Sequence, residues 1–453
     1  MQEHDQTIPI DLHASSAPGP VAKRQAGYLR RLPPCNAGCP AGENIQAWLA
    51  AAMAGDDRKA WEIIVADNPF PAIHGRVCYH PCETVCCRGE FDEPVNIHAV
   101  ERYLGDRALA QGWALPAPQA STGKRVLVIG AGPSGLSAAY HLRRRGHAVT
   151  VFDAGPAAGG MMQLGIPRYR LPRDILAGEV ARIEAMGVEI RLNHKVNDLL
   201  AHREAGHFQA IFIAIGAQLG QRCDIPARDA GKVYDALSFL RETEAGRPPR
   251  LGRRVAIYGG GNTAMDTART VKRLGIAEPL IIYRRDAEHM PAHPFEAEEA
   301  MEEGVKMHWL RSIREIDGDV LEVEVMALDE TGRPVGTGEF ETLNADSLIL
   351  ALGQRVDSSF LHDVPGLVFD GDTVQVDAHL MTNVPGVFAG GDAIPGDRSV
   401  TVAVGHGKKA ALCIDAWLHG CVPPEHPQSP PVTPDMLQLW YAPRAQQQIQ
   451  PIL

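Results

Sequence analysis

The sequence lacks the features that would place it at a membrane or on a nucleic acid. Its 453 residues contain no apolar run approaching the roughly 18–20 residues needed to span a bilayer. Residues 1–20 are polar and have no apolar core of the kind found in signal peptides. The formal net charge of −11 gives no basic excess for binding a polyanion. We therefore expect a cytoplasmic protein that binds neither membranes nor nucleic acid.

Cysteine is scarce, and its distribution is uneven. Six of the nine cysteines lie in "PCNAGCP" at residues 34–40 and "RVCYHPCETVCCRGE" at 76–90, while Cys223, Cys413 and Cys421 are scattered. Disulfides are rare in a reducing cytoplasm, where clustered cysteines are more often metal ligands. Zinc ribbons favour two C-x2-4-C pairs separated by a longer loop, which these spacings do not provide. Iron–sulfur clusters are also held by cysteine thiolates.

The sequence pattern changes at "LPAPQASTG" (115–123), which has the composition of a linker between domains. Before it, residues 42–66 predict two short helices around a Gly-Asp break, and a further helix follows near 94–111. After it, residues 124–153 and 253–285 each read as strand, glycine turn, helix and strand. These two internal repeats predict βαβ units and parallel sheets covered by helices.

The first repeat carries a dinucleotide fingerprint. Gly130, Gly132 and Gly135 form G-x-G-x-x-G between an apolar strand and a helix. Such glycines permit a tight turn, a close approach of a pyrophosphate to the backbone, and close packing of the helix on the strand. Asp153 ends the second strand, where an acidic residue binds a ribose diol.

The second repeat carries a G-x-G-x-x-A variant at Gly259, Gly261 and Ala264. Arg284 occupies the position that Asp153 has in the first repeat, and Arg285 follows it. Arginine at this position favours a ribose 2′-phosphate, so we expect NADP(H), with NAD(H) as the alternative if the arginines are only surface charge.

Two adenine dinucleotides in one chain predict a pair of cofactors that react with each other. A flavin and a nicotinamide form such a pair, because hydride moves between them. The stretch "VFAGGDA" (387–393) predicts a buried strand that ends at Gly391 and Asp392, followed by a helix beginning near Thr401. That carboxylate and helix N-terminus could contact FAD.

Several motifs together resemble one family. They are "CNAGCP", "NPFPAIHGRVCYHPCETVC", "VIGAGPSGLSAA", "GIPRYRLP", "GGGNTAMD", "YRRDAEHMPA", "ALGQ" and "VFAGGD". The chain resembles the small (β) subunit of glutamate synthase, the N-terminal half of dihydropyrimidine dehydrogenase, and the large subunit of electron-bifurcating transhydrogenases. The resemblance implies an α/β fold with two Rossmann-like dinucleotide-binding domains, one inserted in the other, preceded by an α-helical iron–sulfur domain.

The resemblance also implies iron–sulfur ligands. One [4Fe–4S] cluster would take Cys39, Cys78, Cys82 and Glu101. A second cluster would take Cys35, Cys86 and two upstream cysteines, but those positions are occupied by Gly27 and Arg30. Cys87 or His74 could substitute, a partner subunit could contribute, or the second cluster could be absent.

The resemblance and the two fingerprints together define candidate nucleotide sites. "AIG" (214–216) departs from the family's Ala-Thr-Gly and removes a hydroxyl near FAD. The candidates for FAD binding are Gly130, Gly132, Pro133, Gly135, Asp153, Gly160, Gly165, Arg170, Gly216, Gly391, Asp392 and Thr401. The candidates for NAD(P)H binding are Gly259, Gly261, Asn262, Thr263, Ala264, Arg284, Arg285 and Gly353.

These assignments predict a division of the chain and a function. Residues 1–120 would form the iron–sulfur domain with its N-terminal arm, 121–250 and 356–420 the FAD domain, 251–355 the NAD(P)H domain, and 421–453 a tail. We expect a subunit that moves hydride between NAD(P)H and FAD, and single electrons to or from a partner oxidoreductase subunit in a hetero-oligomer. The alternative is a non-catalytic flavoprotein assembly module of a larger redox complex.

Two further expectations concern specific segments. A thiol–disulfide reductase would need a cysteine pair against the flavin, and residues 159–170 contain no cysteine. The tail segment "MLQLWYAP" concentrates apolar and aromatic residues, which are enriched in binding hot spots. We expect it to pack on a partner subunit or on a second copy of the chain.

Overall fold

The first part of the chain is helical. The computed structural model describes residues 31–221, 225–228, 232–276, 278–423, 431–433 and 436. Side chains of Asn44, Asp56 and Asn96 accept backbone N–H groups at the starts of three of the helices, as residues of this type do at N-caps. The helices are α1 Pro34–Gly38, α2 Ile45–Met53, α3 Asp57–Asp67, α4 Pro71–Val77, α5 Pro81–Thr84 and α6 Ile97–Ala110, with a 3₁₀ turn at Cys87–Glu90.

An α/β unit follows the linker. Its elements are β1 Arg125–Ile129, α7 Pro133–Arg144, β2 Ala148–Phe152, α8 Met161–Leu164, α9 Arg173–Ala185, β3 Glu189–Arg191, α10 Leu199–Ala205 and β4 Ala210–Ile213. Strands β1, β2 and β4 are largely buried and apolar, as strands of a parallel sheet covered by helices are, whereas the edge strand β3 is exposed at both ends.

A second α/β unit interrupts the first. Its elements are β5 Leu219–Gly220, β6 Ala227–Arg228, β7 Val233–Asp235, α11 Ala236–Glu244, β8 Arg254–Tyr258, α12 Asn262–Arg273, β9 Glu278–Tyr283, α13 Pro294–Glu302, β10 Lys306–Trp309, β11 Arg311–Asp317, β12 Val320–Leu328, β13 Pro334–Asn344 and β14 Ser347–Leu350. The parallel sheet has the order β10-β9-β8-β14-β7, and a four-stranded sheet of order β13-β12-β11-β6 accompanies it.

The chain then returns to the first unit. The returning elements are β15 Gln354–Arg355, β16 Phe369–Asp370, β17 Thr373–Val374, β18 Val387–Ala389 and α14 Val400–Leu418, with 3₁₀ turns at Ser359–Leu361 and Gly391–Ala393. β18 pairs with β4, which completes a parallel sheet of order β18-β4-β1-β2-β3. The two crossings between the units, β5 and β15, pair with each other antiparallel.

This topology confirms the predicted fold class, in which one dinucleotide-binding unit is inserted in another behind a helical region. The second sheet begins earlier in the chain than the boundary expected at residue 250, because β7 pairs with β14. β7 has three residues and no glycine fingerprint, so no local pattern predicts it. The remaining domain limits stay predictions.

The helical region packs directly on the first α/β unit. Trp61, Phe70 and Ile73 are fully buried in the same apolar core as the strands of that unit. The hydroxyl of Tyr140 on α7 donates to the carbonyl of Val65 on α3. The helical region and the first α/β unit therefore share one apolar core. Burial of apolar surface stabilises a fold by about 25 cal/mol per Å².

The described part of the tail returns to the start of the described chain. The backbone N–H of Val432 donates to the carbonyl of Leu32 at 2.9 Å. Leu437, Leu439, Trp440 and Tyr441 lie outside the described residues, as does Cys223, so the predicted docking of the tail stays a prediction. Within the part of the chain that is described, every helix is too short or too polar to cross a membrane.

Candidate functional site

The first fingerprint opens a cleft of about 350 Å³ at the N-terminus of α7. Gly130 has a φ of +106°, and a Cβ there would lie 2.3 Å from the carbonyl oxygen of Ala214. A Cβ on Gly135 would lie 1.9 Å from the carbonyl oxygen of Gly130. Both positions therefore need glycine. Residues 132–134 at the start of α7 line the cleft, and a helix N-terminus of this kind is suited to an anion such as a pyrophosphate.

Ten of the twelve predicted FAD residues line this cleft. Gly135 instead packs beneath it, and the side chain of Thr401 faces a different cavity. The ten are Gly130, Gly132, Pro133, Asp153, Gly160, Gly165, Arg170, Gly216, Gly391 and Asp392.

Asp153 is held in place by the loops beside it. Its Oδ2 accepts the backbone N–H of Ala131 at 2.6 Å, and its Oδ1 accepts that of Gly155 at 2.7 Å. A carboxylate oxygen has lone pairs for further hydrogen bonds. Asp153 can therefore accept a ribose diol in an orientation fixed before the ligand binds.

The opposite wall of the cleft is formed by the turn after β18 and the start of α14. Ser399 caps α14 by accepting the N–H of Val402 at 3.1 Å. The N–H of Gly391 donates to Nδ1 of His406 at 3.2 Å. Burial raises the pKa of Asp392, and nearby Arg398 opposes that rise. A buried carboxyl and a helix N-terminus thus both line the first cleft.

The second fingerprint lines a second cleft of about 490 Å³. Thr263 and Gly353 line both clefts, so the two clefts are neighbours. Arg284 is exposed at the rim, and Nε of Arg285 donates to the hydroxyl of Tyr283 at 3.0 Å. Ala264 is fully buried beneath the cleft. Gly259, Gly261, Arg284 and Arg285 line the second cleft, and Asn262 lines the first.

Arg170 does more than line the first cleft, which is the predicted FAD site (the flavin cleft). Its guanidinium donates to both oxygens of Asp266 at 2.9 Å and forms a 2.6 Å ion pair with Glu296. Asp266 lies on α12 and Glu296 on α13. The residue predicted to bind FAD therefore joins the first α/β unit (the flavin unit) to the second α/β unit (the nucleotide unit). Burial raises the pKa of Glu296 to about 7, and Arg170 opposes that rise.

The four predicted iron–sulfur ligands line one small buried cavity. Burial raises the pKa of Cys39, Cys82 and Glu101, and raises that of Cys78 to about 12. Among the described residues that line the cavity, none is lysine or arginine. Three thiols and a carboxyl that line one cavity are a donor set suited to iron. None of the eight described cysteines forms a disulfide.

A polar network adjoins these ligands that sequence reasoning did not find. Nδ2 of Asn68 donates to Oε1 of Glu43 at 2.9 Å and to Oε1 of Glu101 at 3.0 Å. Nδ1 of His74 lies 2.8 Å from the same Nδ2. All four side chains are buried, so Asn68 fixes the position of Glu101. Glu101 and His74 are possible ligands by the family resemblance, and His74 lies beside Glu101. No motif of their own marks Glu43 and Asn68.

The remaining cysteines of the two runs lie together at a second position. Burial raises the pKa of the Cys35 thiol; the backbone N–H of Asn36 lowers it, and nearby Cys86 and Cys87 raise it further. Gly27 and Arg30 lie outside the described residues. The second cluster therefore stays an open prediction.

One short segment separates the flavin cleft from the ligand cavity. Val77 and Tyr79 line the cleft, whereas Cys78 and His80 line the cavity. The segment is extended at Cys78, so neighbouring side chains point to opposite faces. The hydroxyl of Thr401 donates to Sγ of Cys78 at 3.1 Å. Thr401, predicted to bind FAD, thus lies on the cluster side, because its side chain points away from the cleft at the start of α14.

Comparison with known proteins agrees with this geometry. The family model described as pyridine nucleotide-disulphide oxidoreductase matches residues 124–407. The chain belongs to this family. A second model, dihydropyrimidine dehydrogenase domain II, 4Fe-4S cluster, matches residues 28–113. This pyridine nucleotide oxidoreductase is therefore an NAD(P)H-dependent flavoenzyme with a 4Fe–4S domain.

Individual relatives match most of the chain. The β subunit of NADP(+)-dependent formate dehydrogenase from Moorella thermoacetica is 39% identical over 85% of this chain and 60% of its own length. The β subunit of NADPH-Fe(3+) oxidoreductase from Geobacter sulfurreducens is 36% identical over 74% of this chain and 52% of its own. The chain thus spans little more than half the length of these relatives.

The small chain of NADPH glutamate synthase from Azospirillum brasilense is 34% identical over 71% of this chain and 72% of its own length, which confirms the resemblance read from the motifs. Among solved structures, Mycobacterium tuberculosis FprA in complex with NADPH shares the fold. Its TM-score is 0.56 at 17% identity, over 66% of this chain and 85% of that one.

Proposed function

We propose that this chain is the electron-transfer subunit of a larger redox complex, taking hydride from NADPH onto FAD and passing single electrons through its [4Fe–4S] cluster to a partner. The observation that carries the proposal is the shared wall at residues 77–80, which faces the flavin cleft on one side and the cluster cavity on the other. Electrons leaving the flavin would cross one layer of protein.

The residues of the two clefts would bind the two cofactors and orient them. The N-terminus of α7 would hold the FAD pyrophosphate, Asp153 its ribose, and Asp392 with the start of α14 its polyol region. The N-terminus of α12 would hold the nicotinamide dinucleotide, with Arg284 and Arg285 on a 2′-phosphate. When bound, the cofactors supply hydride and one-electron chemistry, so no side chain need act as acid or base on carbon.

NADPH is favoured over NADH by two arguments. Arg284 and Arg285 lie at the rim of the second cleft, where a 2′-phosphate would gain charge-assisted hydrogen bonds. The relatives from Moorella, Geobacter and Azospirillum carry NADP or NADPH in their names.

The partner is proposed from relatives named as β subunits or a small chain. Terminal chemistry would lie in that partner, since no substrate-reducing fold accompanies the two nucleotide units among the described residues. The reverse flow, from partner to NADP⁺, uses the same residues. Affinity purification of the full chain with identification of the bound proteins tests the hetero-oligomer.

Anaerobic addition of NADPH to the purified flavoprotein tests the function itself. The proposal predicts bleaching of the flavin absorbance, faster with NADPH than with NADH at equal concentration. A flavin that neither nucleotide bleaches, in a chain that still assembles with its partner, would instead support a non-catalytic assembly module.

A further inference from the structure

Tyr79 and His293 form an aromatic contact that spans two parts of the chain. Their rings are parallel to within 17°, with centroids 3.8 Å apart. Tyr79 directly follows the cluster ligand Cys78 and lines the flavin cleft. His293 is the N-cap residue of α13 in the nucleotide unit. The stack therefore joins the wall between flavin and cluster to the unit that holds the second fingerprint.

His293 connects this stack to the nucleotide site. Its backbone N–H donates to Oδ1 of Asn262 at 2.9 Å. Asn262 is the first residue of α12, directly after the glycines of the second fingerprint, and it lines the flavin cleft. A displacement of His293 would thus displace the helix N-terminus on which the nicotinamide dinucleotide depends.

The surroundings keep both rings uncharged near neutral pH. Burial raises the pKa of Tyr79 to about 12, with the charge of Glu296 adding to the rise. Burial lowers the pKa of His293, and nearby Arg170 lowers it further. The Arg170 ion pairs with Asp266 and Glu296 lie beside the stack and join the first α/β unit to the same second unit that holds His293.

We propose that Tyr79 is a positioning residue for hydride transfer: stacked on His293, it fixes the start of α12 at the distance from the flavin cleft that lets the nicotinamide reach the flavin. This inference rests on the proposed function. Offset stacked rings attract each other beyond the burial of their surface, and a misplacement of about 1 Å can lower a rate roughly 100-fold.

The test compares variants of the full chain with bound FAD. Tyr79→Ala and His293→Ala remove the stack, whereas Tyr79→Phe keeps the ring and removes only the hydroxyl. Phe295→Ala is the matched control, since Phe295 begins the same helix but is 41% exposed and its ring lies 6.0 Å from that of His293. FAD and iron content are measured for each variant, to show that the fold is intact.

Two readouts are compared. The first is the change in flavin absorbance when NADP⁺ is added, which reports nicotinamide contact at equilibrium without turnover. The second is the rate of flavin bleaching at saturating NADPH. We expect Tyr79→Ala and His293→Ala to lose most of the NADP⁺-induced change and to bleach roughly tenfold slower. Tyr79→Phe and Phe295→Ala should stay within about twofold of the wild type.

The double variant completes the test. If the two rings act as one contact, the Tyr79→Ala, His293→Ala double variant should be no slower than either single variant. Additive losses, or a Tyr79→Ala variant that matches the wild type in both readouts, would overturn the inference. A wild type that NADPH fails to bleach would refute the proposed function, while the NADP⁺-induced change would still decide the role of Tyr79. If Tyr79→Ala loses FAD or iron, His293→Ala and Tyr79→Phe still decide it.

Discussion

The hydroxyl of Thr401 donates a hydrogen bond to Sγ of Cys78 at 3.1 Å, across 323 positions of sequence. Thr401 lies in the first turn of α14, whose preceding residues line the flavin cleft, and Cys78 is a predicted cluster ligand. One helix start therefore contacts both the flavin site and the cluster site.

This hydrogen bond should tune the cluster. Donors to a cluster thiolate favour the reduced state, because they stabilise the added negative charge. We expect Thr401→Val to lower the midpoint potential of the cluster by on the order of 20–60 mV, the equivalent of one hydrogen bond. Thr401→Ser keeps the hydroxyl and should stay near the wild type. A redox titration followed by EPR measures both, and equal potentials in all three proteins would contradict the role of Thr401.

The identity of the cysteine, not the number of cysteines, should decide iron content. Cys78→Ser and Cys82→Ser each remove a thiolate from the cavity, so iron and acid-labile sulfide should fall sharply. Cys413→Ala is the control, since Cys413 is buried in the core contact of α14 away from that cavity. Full iron retention in Cys82→Ser would refute the assignment of Cys82 as a cluster ligand.

Nucleotide preference should depend on Arg284. A charge-assisted hydrogen bond to phosphate contributes about 1.5–3 kcal/mol, so Arg284→Ala should lower kcat/KM for NADPH roughly 10–100-fold and leave that for NADH nearly unchanged. Arg253→Ala is the control, because this exposed arginine lies just before β8, outside the second cleft. An unchanged ratio of the two kcat/KM values in Arg284→Ala would show that Arg284 is surface charge.

The contribution of Glu179 to stability should fall as pH rises from about 4.5 to about 7. Glu179 on α9 accepts the N–H of Ala72 on α4 at 3.1 Å and is fully buried. Burial raises its pKa from 4.5 to about 7, with Arg182 opposing the rise. Between about pH 4.5 and 7 the folded chain holds a proton that the unfolded chain releases, so this stabilisation is complete below that window and is lost across it.

Glu179→Gln should flatten that dependence. The amide keeps an acceptor for Ala72 and carries no titrating proton, so unfolding by urea at about pH 5 and about pH 8 should differ less than in the wild type, by on the order of 1–3 kcal/mol. Glu62→Gln, at an exposed site on α3, is the control. A Glu179→Gln variant whose stability changes between the two pH values as much as that of the wild type would contradict the buried, protonated state of Glu179.

The sequence predicted best those features of the fold that depend only on residues close together in the chain. Gly130 and Gly259 mark turns that only glycine fits, and the acidic or basic residue after the second strand follows by spacing alone. The helices at 45–67 followed from helical periodicity and from the Gly-Asp break between them. These features need no knowledge of distant contacts.

Long-range partners could not be predicted in this way. Arg170 lines the cleft that the motifs predict for FAD, and its guanidinium also pairs with Asp266, 96 positions away. The hydroxyl of Thr401, another predicted FAD residue, contacts Cys78. Tyr79 was passed over, because an aromatic residue between two cysteines has no motif of its own. In each case the partner is brought close by the packing of separate units.

The central claim is that electrons pass from NADPH through the flavin to the cluster within this chain. Mixing the anaerobic protein with NADPH, with flavin absorbance followed in a stopped flow and the cluster followed by rapid-freeze EPR, tests it most directly. The account predicts that the flavin bleaches first and the reduced-cluster signal then rises, whereas Cys82→Ser bleaches without that signal. A wild-type flavin that bleaches while its cluster stays oxidised at every time point, with a cluster that dithionite can reduce, would contradict it.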